Sequence, residues 1–115
     1  MALLRDLKVV IQELEQGLGL PVDVLAGALL VDSRPLERWR AGQAYPQREA
    51  RSRLDRLVAL LQHLQQTFTT QEAVRSWMHT DNRYLALLKP AEVARAGRID
   101  RIEAALEALD SGIFV

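Results

Sequence analysis

Residues 47–68 read QREARSRLDRLVALLQHLQQTF, and within them Leu54, Leu57, Val58, Leu61 and Leu64 recur at steps of three and four. That spacing puts all five on one stripe of an α-helix, whereas in a strand it would divide them between both faces. The stretch is therefore expected to be a long helix, about six turns, with one buried side. The same period returns along the chain, and nothing alternates with period two for long enough to make a convincing strand. The fold class this predicts is all-α.

Punctuation divides the pattern. Leu4, Leu7, Val10, Ile11, Leu14 and Leu18 form the first stripe, and GLGLP stops it, with Gly17 and Gly19 favouring an end and Pro21 suiting the next first turn. A second helix is expected from Val22 to Leu30 and a third from Ser33 to Ala41, with the Ser33 hydroxyl placed to cap it. AGQAYPQ reads as a loop in which Gly42 takes the left-handed end conformation. The long helix follows, from Gln47 to Phe68. Thr69 with Glu72 fits a capping box opening a helix from Thr70 to His79. HTDN breaks it, RYLALL supplies a turn or two, and Pro90 opens PAEVARAG, closed by Gly97. Ile99, Ile102, Leu106 and Leu109 share a face of the last helix, Arg98 to Asp110, and Gly112 ends it. The expected division is residues 1–68 and residues 69–115.

Composition narrows the function. A chain of 115 residues suits one compact domain or two small helical units sharing a core. Without cysteine there is no disulfide, thiolate metal site or cysteine nucleophile. MALLRDLKVVIQELEQ has charges interrupting its apolar run, so it reads as neither a signal peptide nor a membrane span, and the expected location is cytoplasmic. His63 and His79 stand on different helices with no carboxylate at metal-ligand spacing. GLGL follows no strand, and no serine sits in a nucleophile elbow. Trp39 and Trp77 lie on apolar helix faces and are assigned to the core. The expectation is a protein with no catalytic residues, no metal and no cofactor, acting by binding rather than as an enzyme.

The net charge is zero, yet it is unevenly spread. Residues 33–56 hold seven arginines against Glu37, Glu49 and Asp55, a balance of +4, while residues 1–32 balance at −3. Around this block residues 21–48 read as helix, turn, helix, with Ala26 and Gly27 small enough for a helix crossing. Leu36 and Trp39 can point inward, leaving Arg34, Arg38 and Arg40 outside. Arginine suits phosphate and guanine edges because its planar fork donates two hydrogen bonds at once. Arg48, Arg51 and Arg53 begin the next helix, where they can grip phosphate. The candidate DNA contacts are Ser33, Arg34, Arg38, Arg40, Gln43 and Arg48. WRAGQAYP resembles the W-x-x-G-x-x-x-P signature after the recognition helix of Xre-type, phage-repressor-like domains. Two readings stay open: a DNA-facing surface, or a helix-turn-helix kept only as a structural core, for which Glu37, repelled by phosphate, speaks.

The second half, EAVRSWMHTDNRYLALLKPAEVARAGRIDRIEAALEALDSGIFV, resembles the Xre/MbcA/ParS toxin-binding domain of bacterial antitoxins. The family's features fall on Ala73, Trp77, Asn82, Leu85, Pro90, Gly97 and Gly112, followed by Ile113 and Phe114. One departure is LALLKP, where many family members carry glycines and this chain has none. Xre-like helices precede this domain in the family too, so the resemblance covers about residues 20–115. It implies an N-terminal Xre-like helix-turn-helix bundle followed by a small helical toxin-binding domain. It also implies a type II antitoxin that blocks a RES-domain toxin degrading NAD and that represses its own operon by binding operator DNA. The candidate toxin contacts are Trp77, Asn82, Leu85, Pro90, Gly112, Ile113, Phe114 and Val115. The apolar tail suits the pocket of an NAD-binding toxin, with the carboxylate of Val115 meeting an arginine; alternatively Ile113 folds back on Leu106 or Leu109 and Phe114 fills the chain's own core. The competing function is a plain helix-turn-helix regulator whose second half only dimerises it. The stripe from Leu4 to Leu18, together with the long helix, points to a symmetric homodimer, here within a larger toxin–antitoxin complex.

Overall fold

The structure, a computed structural model, describes residues 7–112; Ile113, Phe114, Val115 and Leu4 lie outside the described residues. Among the described residues the chain forms α1 (Leu7–Leu18), α2 (Val22–Leu29), α3 (Ser33–Arg40), α4 (Arg48–Thr67), α5 (Gln71–Met78), a 3₁₀ turn (Arg83–Leu85), α6 (Pro90–Arg95) and α7 (Ile99–Asp110). The only β-type pairing described is a single bridge between Asn82 and Leu88. The fold is all-α. No helix among the described residues is long and apolar enough to cross a membrane.

The stripes read from the sequence are the buried faces. Leu7, Ile11, Leu14 and Leu18 of α1 are buried, as are Ala50, Leu54, Leu57, Leu60, Leu61 and Leu64 of α4. They join residues from every other helix in one hydrophobic cluster, so the described helices share a single core. The described α1 stripe is packed inside the chain, towards α3, α4 and α5. Val9, on the outer face of α1, is exposed.

Several boundaries move for local reasons. Gly17 does not end α1: the helix continues through it to Leu18, because its missing side chain makes room for the Leu61 methyls of α4. Gly19, at φ +67°, makes the stop. The N-cap of α3 is Asp32, not Ser33, and it makes no side-chain capping bond. Pro35 then occupies the third helical position, which has no N–H for a cap to accept. The cap of α5 is Thr70, whose hydroxyl accepts from the Ala73 amide at 3.1 Å, not Thr69 with Glu72. Leu109 does not share the buried face of α7; it is 38% exposed, while Ala105 and Ala108 take up the packing.

The most extensive helix pairing joins α2 to α6, elements far apart in the sequence. Gly27 makes this approach possible. A Cβ there would stand 2.3 Å from the Arg95 carbonyl oxygen and 3.0 Å from its carbon. Its smallness therefore serves the contact with α6, where the sequence reading assigned it to the crossing with α3. Arg53 of α4 seals the same seam, its Nε donating to the Ala28 carbonyl at 2.8 Å and its Nη2 to the Gly97 carbonyl. Asp23 and Arg95 pair across the outer edge. Farther along, Arg56 reaches Glu103 at 2.6 Å and binds α4 to α7. At the start of α7, Arg98 donates two hydrogen bonds to Asp100 and holds its carboxyl down at about 2.

Candidate functional site

Among the described residues, two surfaces bear on the residues singled out from the sequence. The first is the basic one. Leu36 and Trp39 anchor α3 inward, being 0% and 6% exposed, which turns Arg34 and Arg38 to the outside. The chain leaves α3 through Ala41 and Gly42, where the Gln43 amide bonds the Arg38 carbonyl at 2.9 Å. Gln43 is exposed, Ser33 is half-buried in the first turn of α3, and Arg48 is exposed in the first turn of α4.

The structure splits the arginine block. Arg34, Arg38 and Arg48 are exposed and make no ion pair among the described residues. Arg40 instead reaches Glu15 of α1 at 3.3 Å, so its charge is partly answered within the chain. Arg53, expected to grip phosphate, is committed to the Ala28 and Gly97 carbonyls. The reason is the register of α4: Arg53 and Arg56 lie beside its buried stripe, whereas Arg48 precedes it. Glu37 is exposed on α3, an unfavourable neighbour for phosphate. Sequence reasoning missed Tyr45, which is 70% exposed in the loop between α3 and α4. An aromatic residue beside Pro46 was the available signal.

The second surface is apolar. A groove of about 210 Å³ runs between the end of α5, the 3₁₀ turn and α7, lined by Trp77, Asn82, Tyr84 and Leu109 among others. Trp77 is half-buried, not wholly in the core, and meets Phe68 with ring centroids 6.4 Å apart. Asn82 organises the turn beside it. Its Oδ1 accepts from the Tyr84 amide at 2.9 Å, its carbonyl accepts from Leu85 and Leu87, and its amide donates to the Leu88 carbonyl at 3.0 Å. Beneath, Leu85 has no exposed surface, and Pro90 is buried at the first position of α6. Both hold the groove's wall from inside and present nothing to a partner directly. Gly112, just past the end of α7, is exposed at φ +71°.

The turn at 82–89 also displays Tyr84, Leu87 and Leu88, which are 39%, 63% and 43% exposed. The sequence reading passed over these as a leucine-rich turn; the signal was an apolar run too long for so short a helix. No group of three or more histidine, aspartate or glutamate side chains among the described residues could hold a metal. His63 bonds Asp110 at 2.5 Å and His79 lies 2.7 Å from the Gly19 carbonyl oxygen, so each has a structural partner. What this surface offers is shape and apolar area for another macromolecule.

Residues 63–112 match the family described as the antitoxin Xre/MbcA/ParS C-terminal toxin-binding domain. Among characterised proteins, the chain is 34% identical over 98 residues to the mycobacterial cidal antitoxin MbcA of Mycobacterium tuberculosis (strain ATCC 25618 / H37Rv), covering 85% of this chain and 86% of that protein. The same figures hold for the protein of that name from Mycobacterium bovis (strain ATCC BAA-935 / AF2122/97). Among solved structures, it is similar to a chain in the crystal structure of the M. tuberculosis MbcT–MbcA toxin–antitoxin complex. The TM-score is 0.66 at 30% identity, covering 95% of this chain and 97% of that one.

Proposed function

The chain belongs to the Xre/MbcA/ParS antitoxin family, and from that premise we propose that it neutralises a RES-domain toxin that degrades NAD. It does so as a stoichiometric blocker with no turnover of its own, in the cytoplasm. In this reading residues 69–115 face the toxin and residues 1–68 face operator DNA. The observation that carries the first half is the groove of Trp77, Asn82, Tyr84 and Leu109, an exposed apolar surface inside the matched toxin-binding region. Trp77 and Leu109 supply contact area there, and Asn82 sets the shape of the wall. Leu85 and Pro90 support it from the core. Ile113, Phe114 and Val115 follow Gly112 as the apolar segment that enters the toxin's substrate pocket.

The test uses the product of the neighbouring gene, purified alone, in an NAD-consumption assay with this protein titrated in. NAD loss is expected to stop near equimolar addition. A neighbour that does not consume NAD, or whose activity this chain leaves untouched, refutes the reading and favours a regulator whose second half serves only association.

Autorepression is the second part of the proposal. Its support is the outward set Arg34, Arg38 and Arg48, with Gln43 and Ser33 beside them and Arg40 shared with Glu15. A symmetric dimer within the toxin–antitoxin complex would present two such surfaces to a palindromic operator. Replacing Arg34 and Arg38 together with alanine is expected to weaken operator binding by about 100-fold and to flatten its salt dependence. A mobility-shift titration at two salt concentrations checks this; unchanged binding would mean that the helix-turn-helix is only a scaffold.

A further inference from the structure

Backbone strain and apolar exposure coincide in the turn at residues 82–89. Ala86 and Leu87 are consecutive non-glycine residues at φ +58° and +70°. In the left-handed region an L-residue crowds its Cβ against the following carbonyl oxygen, so two in succession are held there only by their surroundings. Here the surroundings are explicit: Asn82 accepts three hydrogen bonds and donates one to close the turn, and fully buried Leu85 pins it to the core. Little is gained inside the chain in return, because Leu87 is 63% exposed and Leu88 43% exposed. Arg83 and Lys89 bracket the two leucines, both exposed and neither in an ion pair among the described residues. Rigid aliphatic side chains raised on an over-determined turn lose little freedom on meeting a partner.

We propose that this turn selects among toxins: Leu87 enters an apolar socket on the cognate toxin, and carboxylates on the socket's rim face Arg83 and Lys89. The inference rests on the antitoxin reading above. The occupant is the toxin because the turn lies within the matched toxin-binding region and continues the groove of Trp77 and Leu109. Where the backbone requires left-handed residues, glycine is the unstrained choice and would leave the socket empty. A leucine there matches one antitoxin to one toxin and discriminates against toxins lacking the socket.

The experiment measures toxin affinity and thermal stability together for the full chain and its variants. Ala86→Gly relieves strain without touching the knob, so Tm should rise by a few degrees while Kd stays the same. Leu87→Gly and Leu87→Asn both suit the left-handed backbone and remove the aliphatic group. Each should hold or raise Tm and weaken toxin binding by about tenfold or more. A merely structural leucine would instead lower Tm. Arg83→Glu with Lys89→Glu should weaken binding most at low salt; unchanged affinity overturns the acidic rim. If the wild-type chain binds its toxin and both Leu87 variants bind equally well, the socket is overturned. If the wild-type chain binds no toxin, the antitoxin reading itself fails.

Discussion

Replacing Gly27 with alanine should lower the stability of the chain by about 3 kcal/mol and its Tm by more than about 10 °C. The added methyl would stand 2.3 Å from the Arg95 carbonyl oxygen, with the Arg95 carbonyl carbon and Cα at 3.0 and 3.1 Å. All three atoms are backbone, so no rotamer change relieves the overlap; α2 and α6 have to separate. Separation also stretches the bonds from Arg53 to the Ala28 and Gly97 carbonyls, which are half-buried and costly to leave unpaired. Gly17 supplies the control. The atoms nearest a methyl there all belong to the Leu61 side chain, its two δ carbons at 2.9 Å, and alanine is the better helix former. Thermal melts of the two variants should therefore differ widely. Similar melts would show that the α2–α6 seam is not as close as described.

The second large effect is functional. Removing Ile113 to Val115 should weaken toxin inhibition by about 100-fold while the helical circular dichroism is retained. Burying an isoleucine and a phenylalanine contributes roughly 1.5–3 kcal/mol each before ordering costs, and about half of that total surviving gives two powers of ten. Ile99, Ile102 and Leu106 are fully buried on α7, and Asp110 at its end is fastened by His63 at 2.5 Å and Thr67 at 3.1 Å, so α7 has its own anchors up to the last turn. Inhibition assays and melts on the same preparation separate the cases. A truncated chain that unfolds would assign the tail to the core.

How far the sequence could be read depended on whether a feature was periodic. The helices of the 3.6-residue period were legible because burial repeats along them: the stripe of α4 was read to within a residue or two at each end. Caps were less so, because Ser33 and Asp32, or Thr69 and Thr70, are chemically interchangeable candidates. Only the backbone around them decides. The arginine block was read as one surface, whereas register along α4 sends Arg53 inward and leaves Arg48 outside. Gly27 was recognised as a small residue at a crossing, but its partner is 68 residues away in Arg95, a distance over which no local pattern carries information. The groove was half legible. Trp77 and Asn82 stood out by type, while Leu87 was visible only as part of LALLKP, and its left-handed backbone carries no local sequence signal.

The α2–α6 seam bears on how such chains diversify. Gly27, Arg53 and Arg95 come from three separate helices and meet at one seam: the Arg95 backbone packs against Gly27, and Arg53 ties the Ala28 and Gly97 carbonyls together. A hybrid joining residues 1–68 of one relative to the remainder of another inherits half of this fit from each parent. If the incoming α6 backbone sits slightly higher, or the arginine is missing, the hybrid misfolds although both parents are sound. New partner preferences are therefore expected to arise by drift at the exposed positions, with recombination confined to parents whose seam residues already agree.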